Sequence, residues 1–144
     1  MGEIFNIGRI TSLKKFYYKS RTIVLFDYYL RVLRNYAKFT GRARRKEYWM
    51  FMLFNAIVIT VLSIIDHIAF GLDILYTLYA FVTLVPTLAL HWRRVHDTSR
   101  SGWWMLLMFV PILGWAILFV FTLLPSTPGA NKYGDDPTTL PDPA

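Results

Sequence analysis

Arg93, Arg94, His96, Asp97 and Arg100 fall within eight residues of this 144-residue chain, in the stretch RRVHDTSRSGWW (93–104). Three chemistries draw on such a set. Guanidinium groups grip phosphate oxygens bidentately. A histidine near its working pKa can serve as a general base. Opposite charges can also close a structural clip between two elements. A second cluster upstream, Arg42, Arg44, Arg45, Lys46 and Glu47, suits the first and third of these chemistries. Metal or hydrolytic chemistry has little support: His91 and His96, five residues apart, do not share a helical face, and no third ligand stands near them. The expectation is therefore no catalytic residue, no metal and no cofactor. With no cysteine in the chain, thiolate catalysis and disulfides are excluded.

Both clusters border long apolar runs. The chain is 55% hydrophobic and 17% aromatic but only 17% charged, and its mean hydropathy is +0.37; a soluble domain of this size carries more charge and fewer rings. Three segments meet the length needed to cross a bilayer, about 20 mostly apolar residues. They are 48–65, 74–92 with Pro86 inside, and 103–124 with Pro111 and Gly114 at its centre. The expected fold is an all-α integral membrane protein in which residues 41–124 form three transmembrane helices. A third segment turning back at PILG (111–114) would be a re-entrant hairpin, but its length favours a full crossing.

Charge sets the expected orientation. Twelve of the sixteen Lys and Arg residues precede residue 47, three lie in the 93–102 loop, and none lies in DHIAFGLD (66–73). By the positive-inside rule the N-terminus and the 93–102 loop are cytoplasmic, and after three spans the tail exits on the periplasmic side. Tyr48, Trp49, Trp92, Trp103 and Trp104 then gather at the inner interface. Basic blocks also attract nucleic acid, but the apolar runs between them favour an anionic membrane surface, and no nucleic acid is expected.

Residues 23–40 precede the first span. There Phe26, Tyr29, Leu30, Leu33 and Ala37 share one helical face, and Asp27, Arg31, Arg34, Asn35 and Lys38 share the other. Too charged to cross, this helix is expected to lie flat on the inner leaflet. Residues 1–22 form a basic, weakly patterned extension; they show no compact apolar core and cleavage site that would mark a signal peptide. The tail, 125–144, holds five of the seven prolines and reads as irregular.

Four motifs in this order, FTGRARRKEYWMFMLFN, RRVHDTSRSGWW, VPILGW and STPGANKYGDDP, resemble domain-of-unknown-function family 805, over about residues 25 to 138. The resemblance implies a small bacterial inner-membrane protein and no assigned activity. Residues 1–22 have no counterpart in the family's short members.

The clusters take their roles from this frame. Arg42, Arg44, Arg45 and Lys46, with Arg93, Arg94 and Arg100, are candidates for binding anionic headgroups or a membrane partner. Each cation near such a surface is worth only about 1 kcal/mol, so anchoring alone accounts for the first cluster. Glu47, His96 and Asp97 are expected in a charge clip: Glu47 with Arg93 or Arg94, tying the first and third spans, and Asp97 with Arg94 or Arg100. Ser101 is a candidate N-cap. Inside the bilayer, Asn55, Thr83, Thr87 and His91 form a polar stripe read as packing contacts. The expected role is non-enzymatic engagement of anionic lipid or of a membrane partner, a second copy of the chain included. The alternative is an oligomeric small-solute transporter or channel using the stripe; an enzyme acting on phosphorylated lipids through His96 and Asp97 ranks third.

Overall fold

The computed structural model describes residues 26–69 and 71–139. The basic extension 1–22, residues 23–25 of the expected interfacial helix and residues 140–144 of the tail lie outside them. Among the described residues the fold is helical, with one isolated β-bridge between Asn131 and Gly134. The order is α1 (26–34), α2 (Arg45–Ala69), α3 (Ile74–Asp97), a 3-10 helix (Gly102–Phe109) and α4 (Leu113–Leu123).

α2 and α3 form an antiparallel pair. Each is roughly 36 Å long at 1.5 Å per residue, enough for a hydrocarbon core of about 30 Å. Their most apolar stretches have mean hydropathies of 2.1 and 1.6, yet only 11% and 22% of those stretches is buried. A core helix of a soluble protein would be covered. Here Leu53, Ile57, Val61, Ile64, Leu78 and Phe81 point outward, as lipid-facing side chains do. The turn between the helices is fixed by Asp66 near the end of α2. Its carboxylate accepts from Leu75 N at 3.1 Å and Tyr76 N at 2.8 Å. It thereby serves amides that open α3, where Asp73 makes no side-chain cap.

The third apolar segment departs from the expected single helix. The 3-10 helix stops at Phe109, the chain reverses over 110–112, and α4 returns for eleven residues. The reversal is a γ-turn: Leu113 N donates to Pro111 O at 2.8 Å around Ile112, whose φ is +65° and ψ −71°. Gly114 permits the crossing, because a Cβ there would lie 1.9 Å from the Leu107 carbonyl oxygen. Pro111 and Gly114 thus break the helix rather than bend it. Arg94 of α3 then binds the Leu124 carbonyl where α4 ends. Consequently the tail comes back to the 93–102 loop.

α1 packs against α2 and α3. Its buried residues are Tyr28, Tyr29 and Val32; Leu30 and Leu33 are half-buried against the same cluster, whereas Phe26, and Ala37 beyond the helix, are exposed. Tyr29 stacks on Phe51 with ring centroids 5.4 Å apart, and Phe26 meets Phe54 edge-on at 5.7 Å. Val32, Ala43, Tyr48 and Leu90 complete this cluster. The helix spends its aromatic side on α2 and α3, because these rings offer more packing contact than a headgroup layer does.

Candidate functional site

α3 ends at Asp97, and the charged residues of both clusters converge there. The Asp97 carboxylate is fully buried and accepts from Arg42 Nε at 2.9 Å, from Arg94 Nη1 and from Ser126 Oγ at 2.6 Å. Its own carbonyl accepts from Thr127 N at 3.0 Å and Thr127 Oγ1 at 2.8 Å. Both guanidinium groups are 1% exposed. Buried ions require this density of partners, since desolvation costs several kcal/mol per charge.

Arg42 uses the rest of its fork on the tail. Nη2 donates to Thr127 O and Nη1 to Gly129 O, each at 2.6 Å, with a longer 3.4 Å contact from Nη1 to Gly134 O. Arg94 Nη1 also reaches Ala43 O at 3.2 Å, and Ala43 N donates to Arg93 O at 3.1 Å. The segment before α2, the end of α3 and the tail are therefore one knot centred on Asp97.

A second pair sits beside it. Arg93 Nη1 and Glu47 Oε1 are 3.0 Å apart, with side chains 5% and 4% exposed. This pair joins α2 to α3, not to the third apolar segment as expected. Arg93 Nε and Nη2, and Arg94 Nε, are buried without partners.

His96 faces the tail. Its Nδ1 donates to Gly41 O at 3.2 Å, and its ring lies flat on Tyr133, with centroids 3.7 Å apart and planes 4° from parallel. Asn131 Nδ2 donates to the His96 carbonyl at 3.1 Å, while Asn131 Oδ1 accepts from Tyr133 N at 2.9 Å. Arg100 does not reach Asp97; its guanidinium lies 4.6 Å over the Phe121 ring, and Nη1 donates to Thr98 O at 3.3 Å. Ser101 does cap the next element, accepting from Trp103 N at 3.4 Å. Arg44 and Lys46 approach the Tyr28 ring at 5.2 and 5.3 Å. Arg34, Lys38, Arg45, Lys46 and Lys132 are exposed.

The intramembrane stripe serves its own helices. The hydroxyls of Thr83 and Thr87 return to the carbonyls of Tyr79 and Thr83 at 2.9 and 2.6 Å. His91 Nδ1 donates to Thr87 O at 2.9 Å, so Nε2 is the acceptor for the Tyr48 hydroxyl at 2.8 Å. Asn55 Oδ1 accepts from the Tyr79 hydroxyl at 2.8 Å, and that oxygen in turn takes the proton of Tyr29 at 2.8 Å.

Sequence reasoning missed four contributors: the Arg42–Asp97 bond, the Tyr133 ring, the tail carbonyls and the Asp66 cap. Only the tail carried a local signal, in the turn-forming residues Asn131 and Gly134. Among the described residues no group of three His, Asp or Glu side chains could hold a metal ion.

A paired α2–α3 membrane hairpin closed at one end by an arginine–aspartate knot defines the class of protein. The chain belongs to the family described as protein of unknown function (DUF805), whose model matches residues 36–135. It is 48% identical over 120 residues to inner membrane protein YhaH of Escherichia coli (strain K12), covering 80% of this chain and 99% of that protein. Inner membrane protein YhaI of the same strain is 54% identical over 113 residues, covering 77% of this chain and 95% of the relative. The uncharacterized protein YiiR, also from that strain, is 33% identical over 125 residues, covering 68% of this chain and 84% of its own length. No solved structure matches the chain.

Proposed function

We propose that this is a non-enzymatic protein of the bacterial inner membrane that binds anionic lipid headgroups through its cytoplasmic basic end. One observation carries the reading. The carboxylates Glu47 and Asp97 are buried and taken up by Arg93, Arg42 and Arg94, while Arg34, Lys38 and Arg45, on the stretch that leads into α2, stand exposed. The internal pairs withdraw the negative charge that would otherwise offset those cations. Beside them Trp103 and Trp104 are 69% and 46% exposed, suited to headgroup depth.

The buried members of the two clusters act differently from the exposed ones. Arg42, Arg93 and Arg94 hold the fold, and Arg34, Lys38 and Arg45 meet the lipid, each contributing about 1 kcal/mol. Thr83, Thr87 and His91 spend their polar atoms within α3 and on Tyr48, which gives the transport alternative no support.

The test is native mass spectrometry from detergent, comparing wild type with Arg34→Glu/Lys38→Glu/Arg45→Glu. The wild type should retain phosphatidylglycerol or cardiolipin in preference to phosphatidylcholine, and the triple variant should lose that preference. Equal, featureless adducts in both proteins would end this reading.

A further inference from the structure

We propose that residues 102–123 form a hairpin embedded in one leaflet only, the leaflet next to the basic end. Its partner is the acyl-chain layer of that leaflet. The inference does not depend on what the exposed cations bind.

Both ends of the hairpin are anchored at one level. At its start, Gly102 packs against the Trp92 indole so closely that a Cβ would lie 1.9 Å from the ring. At its end, Arg94 holds the Leu124 carbonyl, and Asp97 holds Ser126 and Thr127. Trp92, Arg94 and Asp97 all belong to the last turns of α3. The chain therefore enters and leaves the apolar layer on the same side.

The arms match half a bilayer. Eight residues of 3-10 helix rise about 16 Å at roughly 2 Å each, and eleven residues of α-helix rise about 16 Å at roughly 1.5 Å each. That is about half of a 30 Å hydrocarbon core. Near its base the hairpin packs on the bundle: Phe119 meets Trp49 edge-on at 6.1 Å, and Val95, Met105 and Phe121 form a buried cluster. Its tip is bare. Phe109 is 77% exposed, Ile112 83% and Leu113 65%.

Nothing at that tip favours water. From Trp103 to Phe121 the side chains are apolar except for two indole N–H groups and the one at Trp115, which donates to Met108 O at 2.9 Å. The turn is also bonded internally: Leu113 N and Gly114 N donate to the carbonyls of Pro111 and Val110 at 2.8 and 3.0 Å. An irregular turn within hydrocarbon needs such internal partners. Among the described residues, one leaflet thus holds five helical segments and the other the far halves of α2 and α3.

The native chain has no cysteine, so single cysteines report without background. Three exposed positions are used in full-length protein in sealed vesicles of known orientation: Leu72→Cys in the α2–α3 turn, Ile112→Cys at the hairpin tip and Lys132→Cys in the tail. A membrane-impermeant maleimide should label positions 72 and 132 from opposite sides and position 112 from neither. A bimane at 112 should be quenched most by lipids brominated near the end of the acyl chain. Val110→Cys replaces Ile112→Cys should the latter fail to assemble. Labelling of 72 and 132 from the same side would show that the segment crosses the bilayer and would overturn the proposal. Labelling of the tip by the impermeant reagent would overturn it as well.

Discussion

The hydroxyl of Tyr36 donates to the carbonyl of Val82 at 2.7 Å. Four residues further along α3 stands Pro86, which has no N–H to give to that carbonyl. Tyr36, two residues past α1, thus completes a hydrogen bond that α3 cannot make for itself. In hydrocarbon, where water cannot substitute, this is how a proline inside a spanning helix is tolerated.

Tyr36→Phe should therefore destabilise the protein by about 1 kcal/mol, the net worth of such a bond. The sharper measurement is a double-mutant cycle with Pro86→Ala, followed by unfolding in mixed micelles. Alanine restores the N–H to Val82, so Tyr36→Phe should cost clearly less in that background. An equal cost in both backgrounds would mean that Tyr36 acts through packing alone.

Glu47 and Arg93 make the second test. Glu47→Gln leaves a buried guanidinium without its counter-charge, and Arg93 already has two unpartnered nitrogens. The single change should cost about 3 kcal/mol. Replacing the pair together, Glu47→Leu/Arg93→Met, should cost less than either half alone. The comparison is made by thermal unfolding in one detergent. A double variant as unstable as the sum of its halves would rule out the ion pair as the coupling.

α2 and α3 were legible because a long uncharged apolar run leaves few alternatives. Three of their four ends were not: the expected limits 48–65 and 74–92 became Arg45–Ala69 and Ile74–Asp97, with the start at Ile74 unchanged. Hydropathy stops at the first charge, whereas Glu47, Arg93, Arg94 and Asp97 stay helical by neutralising one another. In the third segment the breaking residues, Pro111 and Gly114, were in plain view. What brings the end of that segment back to α3 is distant: Arg94 on Leu124 O and Asp97 on Thr127, contacts spanning 30 residues that no local period reveals. On α1 the burial of Tyr28 was hidden for the same reason, since Arg44 and Lys46 of the following segment lie against its ring.

Arg42 tests the knot itself. Its fork reaches Asp97 through Nε and the tail carbonyls of Thr127 and Gly129 through Nη2 and Nη1. A lysine carries the charge but cannot place three bonds in these fixed directions. Arg42→Lys should therefore release the tail, and limited proteolysis should cut within 126–139 at least tenfold faster than in wild type. Asp97→Asn should expose the same segment and also lower stability by about 3–5 kcal/mol, because Arg42 and Arg94 then remain buried without a counter-charge. Unchanged cleavage in Arg42→Lys would show that the tail is held by the Tyr133–His96 stack instead.

The tail also carries a pH dependence. Asp136 Oδ1 accepts from the Thr138 hydroxyl at 2.7 Å and the Thr138 amide at 2.9 Å, and Oδ2 accepts from Gly129 N at 3.1 Å. The Thr138 hydroxyl and then its amide are the main causes that hold this carboxyl below its usual range, with smaller help from the Gly129 amide and Arg42. A carboxyl whose native pKa is depressed favours the folded turn when ionised. That contribution is complete above the ordinary carboxylate pKa, and it disappears as the pH falls through the lower native value. Acidification should therefore loosen the 129–138 loop before the membrane helices respond. A fluorophore on Lys132→Cys should show falling anisotropy across that window while helical circular dichroism stays constant. Asp136→Asn should be loose already at neutral pH and show no further change. A wild-type anisotropy that stays flat through the window, or an Asp136→Asn variant that still titrates, would assign the tail's order to Arg42 and Tyr133 rather than to this carboxylate.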